Sequence, residues 1–156
     1  MKNKFKIISP SYNNEKWVET HIESILEQTY DNYEVLYVND ASTDNTWELK
    51  NKKFNLINNE TNMGATYNYN DYFDKLNLKD DDILVHLDGD DWFASPDVLE
   101  KLNKLYVEKD LWMSYGHYVD YYDDNNINYN PSPQNSHYSD FVHKYSKYRE
   151  DFWRAS

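Results

Sequence analysis

Short apolar runs alternate along the chain with segments whose apolar residues recur every three or four positions. Phe5 to Ser9 reads as a first strand, ended by Pro10, which has no N–H to give a ladder. After the polar turn Ser11-Tyr12-Asn13-Asn14, with Asn14 placed as a helix N-cap, Trp17, Val18, His21, Ile22, Ile25 and Leu26 share one helical face through Gln28. Tyr33 to Val38 is mostly apolar and predicts a central strand. Ala41-Ser42-Thr43-Asp44 then opens a short helix over Thr46 to Lys50, and Phe54 to Ile57 is a third strand. A helix from Gly64 to about Leu76 would bury Ala65, Tyr69, Tyr72, Phe73 and Leu76. Ile83-Leu84-Val85-His86-Leu87 is too short for a stable helix and predicts a buried strand. Ser95 then caps a helix with Pro96 at its first position and Val98, Leu99, Leu102, Leu105 and Tyr106 as its buried stripe. Leu111 to Val119 predicts a further strand with a bend at Gly116. Tyr121 to Asn135 reads as a long loop, and Tyr138 to Ser156 is aromatic and charged without a clean period.

Four strand–helix alternations imply an α/β fold with a mainly parallel central sheet flanked by helices. Ligands of such sheets bind outside the carboxyl ends of the strands. Three polar segments fall at those ends: Pro10 to Asn14, Asn39 to Asp44, and Asp88-Gly89-Asp90-Asp91. The last packs three carboxylates into four positions around one of only 3 glycines. Like charges so close repel, so a fold that gathers them usually brings a cation to them. Their hard oxygens suit Mg2+ or Mn2+, which keep positions open for water and substrate phosphates. An isolated Asp-x-Asp is more often a plain acidic turn; the predicted convergence of three distant segments favours a site.

Composition narrows the function. At 156 residues one domain is expected, and 39% hydrophobic and 17% aromatic residues supply a core despite a mean hydropathy of -1.03. A net charge of -12 argues against nucleic acid and anionic membranes as partners. It also means that an anionic substrate needs a metal or a local cluster of donors. The chain has no cysteine, which excludes disulfides and thiolate metal sites and fits a reducing compartment. The basic start has too short an apolar run for a signal peptide, and no segment approaches the length of a membrane span. These features lead us to expect a soluble, cytoplasmic protein without an integral membrane segment.

An ordered set of motifs carries a more specific likeness. Ile7-Ile8-Ser9-Pro10-Ser11-Tyr12-Asn13 is followed by Ser24-Ile25-Leu26-Glu27-Gln28-Thr29-Tyr30, Tyr33-Glu34-Val35 and Val38-Asn39-Asp40-Ala41-Ser42-Thr43-Asp44. Asn62-Met63-Gly64 and Leu87-Asp88-Gly89-Asp90-Asp91 complete the series. In order and spacing it resembles the inverting family 2 glycosyltransferases, and the likeness covers nearly the whole chain. The resemblance implies the GT-A fold, a Rossmann-like nucleotide-sugar-binding architecture. It would form a single domain over 1–156, with a nucleotide-binding part at 1–110 and an acceptor-side part at 111–156.

The resemblance also implies roles. Pro10, Tyr12, Asn13, Asp40, Gly64, Asp88, Gly89 and Asp90 match positions around the nucleotide-sugar. Tyr12 would stack on the base and Asp40 would accept from its ring N–H, a combination suited to a uracil edge. Asp90 matches the usual direct metal ligand, with Asp88 near the ribose and a metal-bound water, Asp91 as a further ligand, and Mn2+ or Mg2+ as the ion. Trp92 would be an aromatic either for a sugar face or for the core. The expected reaction moves a sugar from a UDP-sugar, glucose-type favoured, to a saccharide, lipid or protein hydroxyl with inversion. Two departures stand out. Tyr69-Asn70 occupies a stretch where the family often carries Arg or Lys, which throws diphosphate neutralisation onto the metal. The chain also ends at Ser156, short of the family segment that normally holds the catalytic base, so it is either a fragment or a minimal enzyme. His143, Glu150 and Asp151 are base candidates on chemistry alone, and solvated surface residues otherwise. Two other functions compete: a nucleotide-sugar-binding module without a competent base, and a metal-dependent phosphohydrolase. The phosphohydrolase would need its acidic motif after the first strand, where Pro10-Ser11-Tyr12 stands.

Overall fold

In the computed structural model, which describes residues 2–47, 54–72, 74–109, 111–114, 120–121 and 127–128, the alternating pattern folds as a parallel sheet. Its strands are β1 (Lys4–Ser11), β2 (Tyr33–Asn39), β3 (Phe54–Asn58) and β4 (Asp82–His86), in the order β3-β2-β1-β4. All three pairings are parallel, so every connection must cross back over the sheet. The helices α1 (Val18–Leu26) and α2 (Ala65–Asp71) belong to those connections, and α3 (Val98–Lys109) follows β4. The chain divides into two compact units, Met1–Lys104 and Leu105–Ser156.

Period two in the inner strands sorts the core. Phe5, Ile7, Val35 and Tyr37 face Val18, Ile22 and Ile25 of α1 and Leu99 of α3. Ile8, Leu36 and Val38 point the other way, onto Tyr72 and Leu76. Because β1 and β2 are buried on both faces, their runs are apolar without strict alternation. Lys6 is a buried exception. Its ammonium pairs with Glu34, its neighbour in the β1–β2 register, and the same carboxylate also holds Lys4.

Several boundaries differ from the sequence expectation, each for a tertiary reason. β1 runs through Pro10 to Ser11. The Pro10 carbonyl accepts from Gly89 N–H, on the flank where β4 has already ended, so the missing proline donor costs no ladder bond. Asn14 does not cap α1 with its side chain: its carbonyl accepts from Trp17 and Val18, and its amide donates to Ser11 Oγ. The helix after Gly64 ends at Asp71 and gives way to a 3-10 turn at Asp74–Leu76, while Ala65 is exposed and the polar Asn68 is its buried residue. The segment after Asp44 is a 3-10 turn at Asn45–Trp47. β4 is half-buried, because it lies at the edge of the described sheet.

α3 begins at Val98, two residues after Pro96, and of its expected stripe only Leu99 is fully buried. Its start is tied to the end of α1. Gln28 Oε1 accepts from Leu99 N–H at 3.1 Å, and Gln28 Nε2 donates to Ser95 O at 2.8 Å. The Gln28 side chain thus satisfies a first-turn donor that no helix can satisfy internally. Past α3, residues 111–114 are not a strand. The rest of that expected strand, 115–119, lies outside the described residues, and Asp120–Tyr121 (β5) pairs antiparallel with Ile127–Asn128 (β6), so that from Tyr121 on the pair falls in the stretch expected to be loop.

Candidate functional site

The parallel order brings the carboxyl ends of β1, β2 and β4 to one edge, and backbone bonds stitch them together. Asp40 N–H donates to Ser11 O at 2.8 Å, Leu87 N–H to Ile8 O at 3.1 Å, and Gly89 N–H to Pro10 O at 2.9 Å. The three polar segments expected to converge therefore do so, around the end of β1.

The first two segments form one interlocked surface. Asn13 N–H donates to Ser42 Oγ at 3.0 Å, and Asn13 Oδ1 accepts from Thr43 N–H at 2.8 Å. Asn14 N–H donates to Thr46 Oγ1 at 2.7 Å and Glu15 N–H to Asp44 at 3.0 Å. Asn13 and Ala41 hold left-handed backbone, φ 53° and 59°. Asn tolerates that region, whereas Ala41 carries strain that its neighbours must hold in place. Tyr12, between β1 and this interlock, stays 45% exposed.

Asp40 lies deeper, 3% exposed. Its Oδ1 accepts from Asn59 Nδ2 at 2.7 Å and from Met63 N–H at 2.9 Å, and its Oδ2 from Gly64 N–H at 2.8 Å. Burial alone would raise its pKa, but the Met63 and Asn59 donors outweigh it and hold the carboxyl below the usual range. Gly64, at φ 83°, adopts the left-handed conformation that lets both N–H groups turn toward Asp40. Asp40 thus fixes the Asn59–Gly64 loop, a job that sequence reasoning did not assign it.

The acidic turn is clamped from two sides. Its Gly89 sits against Ser11 so closely that a Cβ would lie 2.3 Å from Ser11 Oγ and 2.4 Å from its Cβ. On the other flank, buried His21 of α1 holds the Asp91 carbonyl at 2.6 Å from Nδ1, so that nitrogen carries the proton. Asp91 N–H closes the turn on Asp88 O at 2.9 Å. Desolvation of the Asp91 carboxyl by the protein flank, with the charges of Asp90 and Asp88 beside it, pushes its pKa up. Trp92 packs on Trp17, with ring centroids 5.7 Å apart. Tyr69 of α2 stacks on His86 and donates to Asp88 Oδ1 at 2.5 Å. Burial and then Asp88 push the Tyr69 phenol far up, so it stays a neutral donor.

Sequence reasoning gave neither residue a role in the site: His21 reads as a helix-face residue, and Tyr69 as a helix-face residue that stands where a basic side chain is common. The base candidates His143, Glu150 and Asp151 lie outside the described residues. Among the described residues no three His, Cys, Asp or Glu side chains gather closely enough to hold a metal by themselves. The donor set still fits a hard cation that is bound partly by a substrate: exposed carboxylates on a turn that a glycine lets approach β1. No helix among those residues is long and apolar enough to cross a membrane.

Burial pushes His21 below its ordinary 6.5, against the opposing pull of the Asp91 carbonyl and of Asp90, and it lowers His86 as well. The fold therefore holds both neutral, while the unfolded chain takes up protons below about pH 6.5. That stability is fully present above pH 6.5 and is lost as pH falls. The thermal midpoint should be flat from about pH 8 to 7 and decline from about 6.5 downward, less steeply in His21→Leu. A midpoint that rises on acidification would contradict the burial of the His21 ring.

The profile of Glycosyl transferase family 2 matches residues 6–155. The chain belongs to glycosyl transferase family 2. A relative within the family, the Escherichia coli enzyme named UDP-Glc:alpha-D-GlcNAc-diphosphoundecaprenol beta-1,3-glucosyltransferase WfgD, is 34% identical over 117 residues, covering 72% of this chain and 44% of its own. Among solved structures, Staphylococcus aureus TarS 1-349 with UDP-GlcNAc superposes with a TM-score of 0.61 and 27% identity, over 69% of this chain and 32% of that one. The Pyrobaculum calidifontis mannosyltransferase PcManGT, in complex with GDP-Man and Mn2+, shares the fold at a TM-score of 0.57 and 23% identity, over 67% of this chain and 33% of that one. The architecture shared with these neighbours is the GT-A fold of glycosyltransferases. The chain spans less than half the length of the curated relatives it matches, from 46% of one down to 17% of another.

Proposed function

We propose that this chain carries the donor-binding site of an inverting glycosyltransferase that takes a UDP-sugar. The observation that carries the reading is the Gly89–Pro10 backbone bond, which seats the acidic turn against the strand end that leads into Tyr12. Base recognition and diphosphate recognition would then share one edge. Exposed Tyr12 offers a face for the base, and Asp40, held in place by the Asn59–Gly64 loop, keeps a lone pair on Oδ2 for a ring N–H. Pro10, Asn13 and Gly64 shape the backbone around them.

A divalent ion, Mn2+ or Mg2+, on Asp90 with Asp88 and Asp91 as further ligands would neutralise charge that develops on the leaving UDP. The chain's own residues hold those carboxylates: His21 fixes the Asp91 carbonyl, Tyr69 the Asp88 carboxylate and Pro10 the Gly89 N–H. An acceptor hydroxyl attacking from the other face would invert that centre and give its proton to a base, for which His143, Glu150 and Asp151 remain the candidates. WfgD, named for UDP-Glc and a diphosphoundecaprenol-linked acceptor, supports a glucose-type donor and a lipid-linked saccharide as the first pair to try.

The test is binding of UDP, GDP and CMP with and without Mn2+, in the parent and in Asp90→Ala. UDP should bind best and gain at least about tenfold from Mn2+, a difference of about 1.4 kcal/mol. Asp90→Ala should lose that gain, and its thermal midpoint should stay near the parent's because Asp90 is exposed. Equal binding of the three nucleotides would count against the uridine reading. An undiminished Mn2+ gain in the variant would move the ligand to Asp88 or Asp91.

A further inference from the structure

Tyr69 spans the α2 side of the sheet and the acidic turn, and two contacts fix it. Its ring lies flat on His86, with centroids 4.2 Å apart and planes 9° apart, which sets where its hydroxyl can point. That hydroxyl donates to Asp88 Oδ1 at 2.5 Å. His86 is the last residue of β4, so the stack anchors Tyr69 to the strand from which Asp88 projects two residues later. The arrangement holds a carboxylate in one rotamer without neutralising it. A lysine or arginine in the same place would also hold Asp88, but it would cancel one of the three negative charges on the turn.

We propose that Tyr69 is a positioning residue that fixes the Asp88 carboxylate while leaving the acidic turn its full negative charge, so that the site takes up a divalent cation together with a diphosphate and binds the diphosphate poorly without one. The inference rests on the UDP-sugar reading above for its biological ligand but not for its test. A phenol that orients Asp88 restricts it in advance of binding, and pre-organisation of this kind shows as affinity. Losing a hydrogen bond to a charged group is worth about tenfold or more in binding.

The probes are Mn2+ alone and Mn2+ with inorganic pyrophosphate, with free Mn2+ followed by electron paramagnetic resonance in the whole chain. Tyr69→Phe keeps the ring and its stack and removes only the hydroxyl. It should bind Mn2+ in the presence of pyrophosphate about tenfold more weakly than the parent, with a thermal midpoint within a few degrees of it. A merely structural role would move the midpoint and spare the Mn2+ affinity. Equal Mn2+ affinity in parent and variant overturns the proposal, as does a parent that binds no Mn2+ with either probe. If Mn2+ behaves as expected and UDP gains nothing from it, the uridine reading fails while the role of Tyr69 stands.

Discussion

Asp40→Ala should be among the most damaging single changes in this chain, and its damage should be to folding as well as to nucleotide binding. The substitution strips the acceptor from three donors at once: Asn59 Nδ2, Met63 N–H and Gly64 N–H. The three donors are only part-buried, so each one left unmade costs toward the low end of about 1–3 kcal/mol, and because they share one site the sum should fall short of additive at roughly 2–4 kcal/mol. That is a large share of the 5–15 kcal/mol that typically holds a domain together. Asp40→Asn separates charge from shape. It keeps an oxygen for Met63 and Asn59 but turns an amide against Gly64 N–H, so it should cost less than alanine. Because the folded carboxyl titrates below its ordinary 3.8, its contribution is fully present above that value and is lost as pH falls further. The stability gap between parent and Asp40→Asn should therefore be constant near neutrality and narrow only below about pH 4. Urea unfolding at several pH values measures both effects. A variant as stable as the parent would show that the Asn59–Gly64 loop does not depend on Asp40.

What the sequence made legible was whatever depends on near neighbours in the chain. The apolar runs of β1 and β2 announce strands buried on both faces, and the spacing of Val18, His21, Ile22 and Ile25 announces a helix, because period alone decides which side each residue takes. Helix ends were less legible, since the partners that set them are far away in sequence. The first turn of α3 is satisfied by Gln28, which no local signal links to Leu99. β4 carries the same kind of apolar run as an inner strand, and only the order of the sheet makes it an edge.

The site divides in the same way. Asp88, Asp90 and Asp91 are visible as a motif because they are adjacent, whereas the residues that hold them look ordinary. His21 reads as one more position on the α1 face, and its bond to the Asp91 carbonyl spans 70 residues. Tyr69 reads as an apolar-face aromatic, and nothing near it in sequence points to Asp88. The one trace available in advance was negative: a tyrosine where a basic side chain is common in proteins this chain resembles. Half-buried Asn59 donates to buried Asn68 at 2.8 Å and so links Asp40 to α2, yet as single asparagines near turns they carry no signal of it.

Gly89→Ala should remove function more completely than any single carboxylate change, because it displaces the whole turn. The added methyl would stand 2.3 Å from Ser11 Oγ, 2.4 Å from its Cβ and 3.0 Å from its Cα. The last of these is backbone at the end of β1, paired with Asn39, and rotating the serine moves only its Oγ, so the contacts with Cβ and Cα remain. The turn must move instead, and the Gly89–Pro10 bond lengthens or breaks. Forced overpacking of this kind costs about 1–3 kcal/mol in stability. The functional cost should be larger, since an ångström of misplacement at a reacting site can cost about a hundredfold. Because Asp88, Asp90 and Asp91 would shift together, the Mn2+-dependent part of UDP binding should vanish, whereas Asp90→Ala alone removes one ligand and leaves the others in place. Ser11→Gly in the Gly89→Ala background clears two of the three clashes and should recover part of both stability and Mn2+-dependent binding. Recovery beyond the sum of the two single changes would show that close approach, rather than loss of glycine's backbone freedom, is what position 89 requires.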